Sequence, residues 1–225
     1  MDRIINRSIA KGTVKAPPSK SMAHRYIICA ALSDGVSVIS NVDYSEDIKA
    51  TIDCIKSLGA KVEAGESSVT IDGRETVIQK LLRKSDMSDK QDISEIDFMC
   101  RESGSTMRFF MGIAMTLPVT VNFYGSETLR NRPFGIYESI LNSTDKADLQ
   151  KSKDDKDDKS CGNECFFKRL DDKISIKGGL KENDFEIAGN ISSQFVTGLL
   201  LSLSLRKEGG TITLILLWKA DPTSI

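Results

Sequence analysis

Four short segments carry residue types suited to holding anions, and each stands where a loop turns into a helix. The first is Ser19-Lys20-Ser21-Met22-Ala23-His24-Arg25. Free backbone N–H groups at a helix start point outward, and the helix dipole favours negative charge there. Lys20 adds a compact cation and Ser21 a hydroxyl, and Arg25 follows one turn later on the side of Ser21. A phosphate can use all of them; an N-cap serine with solvated flanking charges is the plainer alternative. The second segment is Arg101-Glu102-Ser103-Gly104-Ser105-Thr106-Met107-Arg108, where Gly104 permits close backbone approach ahead of the apolar run Phe109 to Met115. It lacks the Lys-Ser/Thr ending of a nucleotide phosphate loop, and its plainer reading is a helix cap. The third is Arg130-Asn131-Arg132-Pro133. Pro133 suits a first helical turn, so Arg132 offers its planar fork to a carboxylate or phosphate, or is simply a surface arginine. The fourth, Gly189-Asn190-Ile191-Ser192-Ser193-Gln194-Phe195, sets two hydroxyls and an amide at the start of a nearly all-apolar helix, Phe195 to Leu205. Such a helix is expected to be central, so its polar start faces a cleft or needs internal partners. Four starts of this kind are hard to ascribe to capping alone.

His24 is the sole histidine. The adjacent Arg25 works against its protonation. It reads as a packed or hydrogen-bonding helix residue rather than a general base, and nothing supports a serine–histidine or cysteine–histidine nucleophile.

The elements that must position these residues alternate. Ser21 to Ala31 has helical spacing and stops at Gly35, and Val36 to Ile39 reads as a strand. Glu46 to Leu58 is an amphipathic helix with Gly59 at its C-terminal cap, and Lys61 to Ile71 holds two short strands around a turn. Helices are then predicted over Ser105 to Met115, Phe134 to Leu141 and Ser192 to Leu205. Strands are predicted over Val119 to Phe123, Ile174 to Ile176 and Thr211 to Leu217. A unit of roughly 80–90 residues therefore recurs about three times. Residues 142–160 differ: only Ala147 and Leu149 are apolar, which predicts a solvated surface insertion.

Composition bounds the rest. A chain of 225 residues with 40% apolar and 28% charged side chains can bury a core of one or two domains. A net charge of -1 gives no ground for a general nucleic-acid or membrane surface, though a local cationic pocket remains open. Cys29, Cys54 and Cys100 read as small buried hydrophobes. Five cysteines at scattered spacing argue against a disulfide framework, and Cys161 and Cys165 lack the further ligands of a metal site. No metal, no cofactor, no secretory signal and no membrane span are expected, which places the protein in the cytoplasm.

Taken together, Pro18-Ser19-Lys20-Ser21 with Arg25, Glu102 to Arg108, Arg132-Pro133, and above all Gly189 to Phe195 resemble the 5-enolpyruvylshikimate-3-phosphate synthase family. The resemblance implies an α/β fold, the inside-out α/β barrel of enolpyruvate transferases, with two domains of repeated βαβαββ units and the active site in the cleft between them. Residues 1–17 would belong to the second domain and residues 18–225 to most of the first, so the chain is expected to be a truncated, N-terminal half. By the same resemblance, Lys20 would be catalytic and would contact both substrates. Ser21, Arg25, Ser192, Ser193 and Gln194 would hold shikimate 3-phosphate. Gly104, Arg132 and Gln194 would join Lys20 in holding phosphoenolpyruvate. The implied reaction transfers the enolpyruvyl group to the 5-hydroxyl of shikimate 3-phosphate with release of phosphate, on the route to chorismate and the aromatic amino acids.

The chain departs from the family in three ways. Arg101 stands where the family usually has glycine. The insertion at 142–160 is unusually long and charged. The tail from Trp218 to Ile225 departs from the family's Leu-Glu-Ser-Arg/Lys-Pro-Tyr continuation in a way that a one-base shift of its codons would produce. The acid–base residues, further arginines and a lysine for phosphoenolpyruvate would lie in the other half, so the 225-residue chain alone is expected not to turn over, and a separately encoded C-terminal half is a candidate partner. The alternatives are a non-catalytic anion-binding module and the related transferase that acts on UDP-N-acetylglucosamine. The Ser19-Lys20-Ser21 and Ser192-Ser193-Gln194 segments favour shikimate 3-phosphate.

Overall fold

Serine caps open three of the long helices. In the computed structural model, which describes residues 9, 11–83, 95–141, 165–178, 180 and 183–215, the side chains of Ser19, Ser103 and Ser192 accept backbone N–H bonds from Met22, Thr106 and Gln194. Each satisfies a donor that a helix start leaves orphaned. The helices they open are α1 (Lys20–Leu32), α4 (Gly104–Ala114) and α7 (Ser193–Leu203). Between them lie α2 (Glu46–Ser57), α3 (Val77–Arg83), α5 (Glu127–Arg130) and a helix over 135–141, called α6. The strands are β1 (Val36–Ser40), β2 (Lys61–Ala64), β3 (Ser68–Asp72), β4 (Glu95–Met99), β5 (Thr120–Tyr124), β6 (Phe166–Arg169), β7 (Lys173–Lys177), β8 (Asp184–Ala188) and β9 (Thr211–Ile215).

Three sheets repeat one topology. The second has the order β4-β5-β7-β6, with β4 and β5 parallel and the other pairs antiparallel. The first, β1-β3-β2, repeats its antiparallel part. The third, β8-β9, repeats its parallel pair. The second unit thus reads β4-α4-β5, then helices, then β6-β7, which is the βαβαββ order. Two glycines mark the same repeat. Gly73 follows β3 and lies against the last carbonyls of α1, and Gly178 follows β7 and lies against those of α4; a Cβ at either would overlap backbone oxygen.

The core runs through α4. Phe98, Phe110 and Phe123 join β4, α4 and β5, with ring centroids 4.9 and 5.5 Å from Phe98. Ile27, Ile28, Ile48, Ile55 and Ile71 extend the same core through α1, α2 and β3. Helix α4, from Met107 to Ala114, is the enclosed one. The central place expected for α7 is only half right: Phe195, Leu199 and Leu203 are buried, but Leu200 is 56% exposed. Among the described residues α7 is backed chiefly by α4, so an apolar composition overstated its burial. Cys54 and Cys100 are buried as expected, whereas Cys29 lies on the exposed face of α1. The predicted elements are present to within a few residues at their ends, and α3, α5, β4, β6 and β8 add to them. The readings of the 142–160 insertion, Cys161 and the tail from Trp218 fall outside the described residues. No described helix is long and apolar enough to cross a membrane.

Candidate functional site

Helices α1, α4 and α7 bring their capped N-termini together, and side chains tie the three starts to one another. On α1, the Arg25 guanidinium bridges elements. One nitrogen donates to the carbonyl and hydroxyl of Ser21, both at 2.7 Å, and the other to Thr197 Oγ1 of α7 at 3.0 Å. On α4, Arg108 donates to Gln194 Oε1 at 2.7 Å, and the Gln194 amide nitrogen donates to Ser105 Oγ at 2.8 Å. Arg132 closes over Gly104: a Cβ there would overlap its guanidinium and lie 3.1 Å from Arg108 Nη1. Glycine at this position is what admits two cations beside the helix start. Arg169 of β6 in turn donates to the carbonyls of Arg130 and Arg132, at 2.7 and 3.4 Å, and steadies that turn.

The charge balance of this face is uneven. Among the described residues Arg25, Arg108 and Arg132 form no ion pair with a carboxylate. Burial and then the neighbouring Arg132 charge lower the Arg108 guanidinium from its ordinary value, so the pair repels and an anion beside it would relieve the repulsion. Among the described residues the buried Arg108 Nε has no partner. Lys20 is exposed and pairs with Asp47 Oδ2 of α2 at 2.5 Å. Ser192 and Ser193 are exposed at the start of α7, with Ser192 serving as its cap. The eight residues expected from sequence therefore lie on three adjoining helix starts and the turn before α6.

Sequence reasoning missed Arg108, Thr197 and Asp47. Arg108 carried a signal, because a lone arginine on the apolar stretch Met107 to Ala114 must find a partner or a ligand once it is buried. Arg101, which stands where the family usually has glycine, is exposed and held by two ion pairs. It adopts a φ of 51°, in the left-handed region that glycine tolerates best, and its guanidinium joins Glu46 and Asp53 of α2 at 2.5 and 2.7 Å.

His24 is buried in α1, with Nδ1 2.7 Å from Thr51 Oγ1. Burial lowers it from 6.5 to about 4, Lys20 and Arg25 push the same way, and Asp47 opposes them. It is therefore neutral at pH 7. The unfolded chain binds its proton first, so His24 contributes stability that is fully present above pH 6.5 and lost as pH falls toward 4, up to about 3 kcal/mol. Urea unfolding at pH 7 and pH 4.5 should show His24→Asn losing less stability on acidification than the parent. Equal losses would refute the assignment.

Comparisons with known proteins bear on this face. A family model described as EPSP synthase (3-phosphoshikimate 1-carboxyvinyltransferase) matches residues 6–149. The 3-phosphoshikimate 1-carboxyvinyltransferase of Clostridium perfringens (strain ATCC 13124) is 42% identical over 209 residues, which are 93% of this chain and 42% of that protein. That of Clostridium kluyveri is 38% identical over 203 residues, 89% of this chain and 40% of its own. An EPSP synthase structure from Acinetobacter baumannii matches with a TM-score of 0.56 at 20% identity, over 85% of this chain and 38% of that one; that likeness shows the expected enolpyruvate transferase fold. The chain thus spans well under half the length of the relatives it matches. With a family model matching most of its length, 42% identity to a named relative, and the repeated α/β units in place, the chain belongs to the EPSP synthase family.

Proposed function

We propose that this chain supplies one wall of the cleft in which the enolpyruvyl group of phosphoenolpyruvate is transferred to the 5-hydroxyl of shikimate 3-phosphate. The observation that carries the reading is the convergence of three serine-capped helix starts with Arg25, Arg108 and Arg132, cations without a carboxylate partner among the described residues. Two anionic substrates need such a surface to meet, and outward N–H groups and guanidinium forks suit phosphate and carboxylate oxygens. Ser21, Arg25, Ser192 and Ser193 would hold the phosphate of shikimate 3-phosphate, with Gln194 beside its ring. Gly104 and Arg132 would hold phosphoenolpyruvate, and Lys20 would reach both.

The hydroxyl oxygen adds to the central carbon of the enol ester and gives up its own proton, while the methylene carbon of the ester gains one. Loss of that proton and departure of phosphate then give the new enol ether. Fixed cations stabilise the charge that develops on phosphate as it leaves. Residues 18–225 would form most of one domain, and residues 1–17 and the opposite wall would belong to the second, whose chain corresponds to the length of the relatives that this one does not match. A soluble cytoplasmic setting suits these substrates.

Titration calorimetry on the 225-residue chain should show weak binding of shikimate 3-phosphate and none of UDP-N-acetylglucosamine. Ser192→Ala should weaken it about threefold to tenfold, the worth of one neutral hydrogen bond. No heat with shikimate 3-phosphate on folded protein would sink the reading.

A further inference from the structure

Four of the buried polar side chains form a single hydrogen-bonded line through three helices. His24 Nδ1 of α1 lies 2.7 Å from Thr51 Oγ1 of α2, which lies 2.7 Å from Thr106 Oγ1 of α4, which lies 2.7 Å from the Ser103 hydroxyl that caps α4. All four residues are at most 1% exposed. The Asp47 carbonyl lies 3.3 and 3.4 Å from the two threonine hydroxyls, so the first turn of α2 borders the same line.

Both ends of the line reach the anion-holding face. Ser103 precedes Gly104, where Arg132 closes, and Thr106 lies one residue after Ser105, the partner of Gln194. His24 follows Lys20 by one helical turn, and Lys20 bonds the Asp47 carboxylate. A line of fixed hydrogen bonds in a dry interior is stiff, and cutting one link leaves two buried groups unsatisfied.

The direction of the line follows from what is left over. Among the described residues His24 Nε2, which is buried, has no partner. If Nδ1 carries the proton, His24 donates to Thr51, Thr51 to Thr106 and Thr106 to Ser103, and Nε2 is an unused lone pair. The other tautomer would bury an N–H donor with no acceptor, which native interiors tolerate least.

We propose that His24 is a positioning residue for this face: acting through Thr51 and Thr106, it sets Lys20 on α1 and the Ser103-Gly104-Ser105 turn of α4 in register with each other. That the register serves shikimate 3-phosphate rests on the function proposed above; the register itself does not.

Two measurements on the 225-residue chain separate those claims. With a single histidine, imidazole 15N spectra are unambiguous and should show the Nδ1–H tautomer at pH 7. Thr51→Val removes the hydroxyl at constant shape. It should abolish that preference, move the amide signals of Lys20, Gly104 and Ser105, and weaken shikimate 3-phosphate binding fivefold to tenfold. Thr51→Ser should restore the signals and bring affinity to within twofold of the parent. Thr106→Val should keep the tautomer and move only the α4 amides, which gives a second cut if Thr51→Val does not fold. A parent that binds no shikimate 3-phosphate defeats the proposed function alone, since the spectra still decide the register. An Nε2–H tautomer in the parent, or unmoved Lys20 and Gly104 amides in folded Thr51→Val, overturns the positioning role. So does parental affinity in that variant.

Discussion

Gly112→Ala should destabilise the protein by about 3 kcal/mol or more, or prevent it from folding. Helices α4 and α7 cross backbone to backbone at Gly112 and Gly198. A Cβ on Gly112 would lie 2.8 Å from Gly198 Cα and closer still to its carbonyl. Those are backbone atoms, so relief requires a whole helix to move. The movement would pull Gln194 from Ser105 and Arg108, and it would disturb the buried Tyr137 hydroxyl, which donates to the Arg108 carbonyl at 2.7 Å and packs where a Gly198 side chain would stand. On propensity alone the substitution should stabilise a helix by about 1 kcal/mol. The sign of the effect therefore tests the crossing. Thermal unfolding should show a midpoint about 10 °C below the parent. Gly135→Ala is the control, since a Cβ there meets nothing within 4 Å, and it should stay within about 0.5 kcal/mol. A Gly112→Ala protein as stable as the parent would show that the helices do not meet as described.

Arg25→Ala should cost roughly tenfold to hundredfold in affinity for shikimate 3-phosphate. The guanidinium is half-buried between Ser21, Thr197 and the Phe109 ring, 5.2 Å from the ring centroid, so its charge is aimed rather than mobile. A charge-assisted hydrogen bond contributes about 1.5–3 kcal/mol, and the same substitution frees the start of α7 from α1. Arg25→Lys keeps the charge but not the fork, and should recover only part of the loss. Calorimetric titration of the three proteins decides it. Parental affinity in Arg25→Ala would remove this residue from the pocket, and with it the assignment of its neighbours by resemblance.

What the sequence determined by itself was local. The helix starts at Ser19, Ser103 and Ser192 were legible because a cap, its glycine or hydroxyl neighbours and the apolar run behind it occupy about ten consecutive residues. The same locality made the eight candidate site residues recognisable as parts of four motifs, and the alternation of helices and strands signalled the repeated unit. Strands β4, β6 and β8 were not legible: Glu95–Met99 and Asp184–Ala188 alternate charged and apolar residues over only five positions. Their evidence is a partner strand further along the chain, as in the pairing of Ile96 with Val121.

Everything that makes the motifs one site was decided by tertiary structure. Arg25 meets Thr197 across 172 residues and Gln194 meets Ser105 across 89. The close crossing at Gly112 and Gly198 fixes those distances, and in sequence each glycine looks only like a weak point in a helix. Arg101 shows the same division. Its departure from glycine is visible in one dimension, but its use as a clamp on Glu46 and Asp53 depends on α2 lying beside the loop. Caps and periodicity are written in neighbouring residues. Which cations end up unpaired, and which hydroxyls form one line from His24 to Ser103, depends on close packing between helices that are distant in the chain.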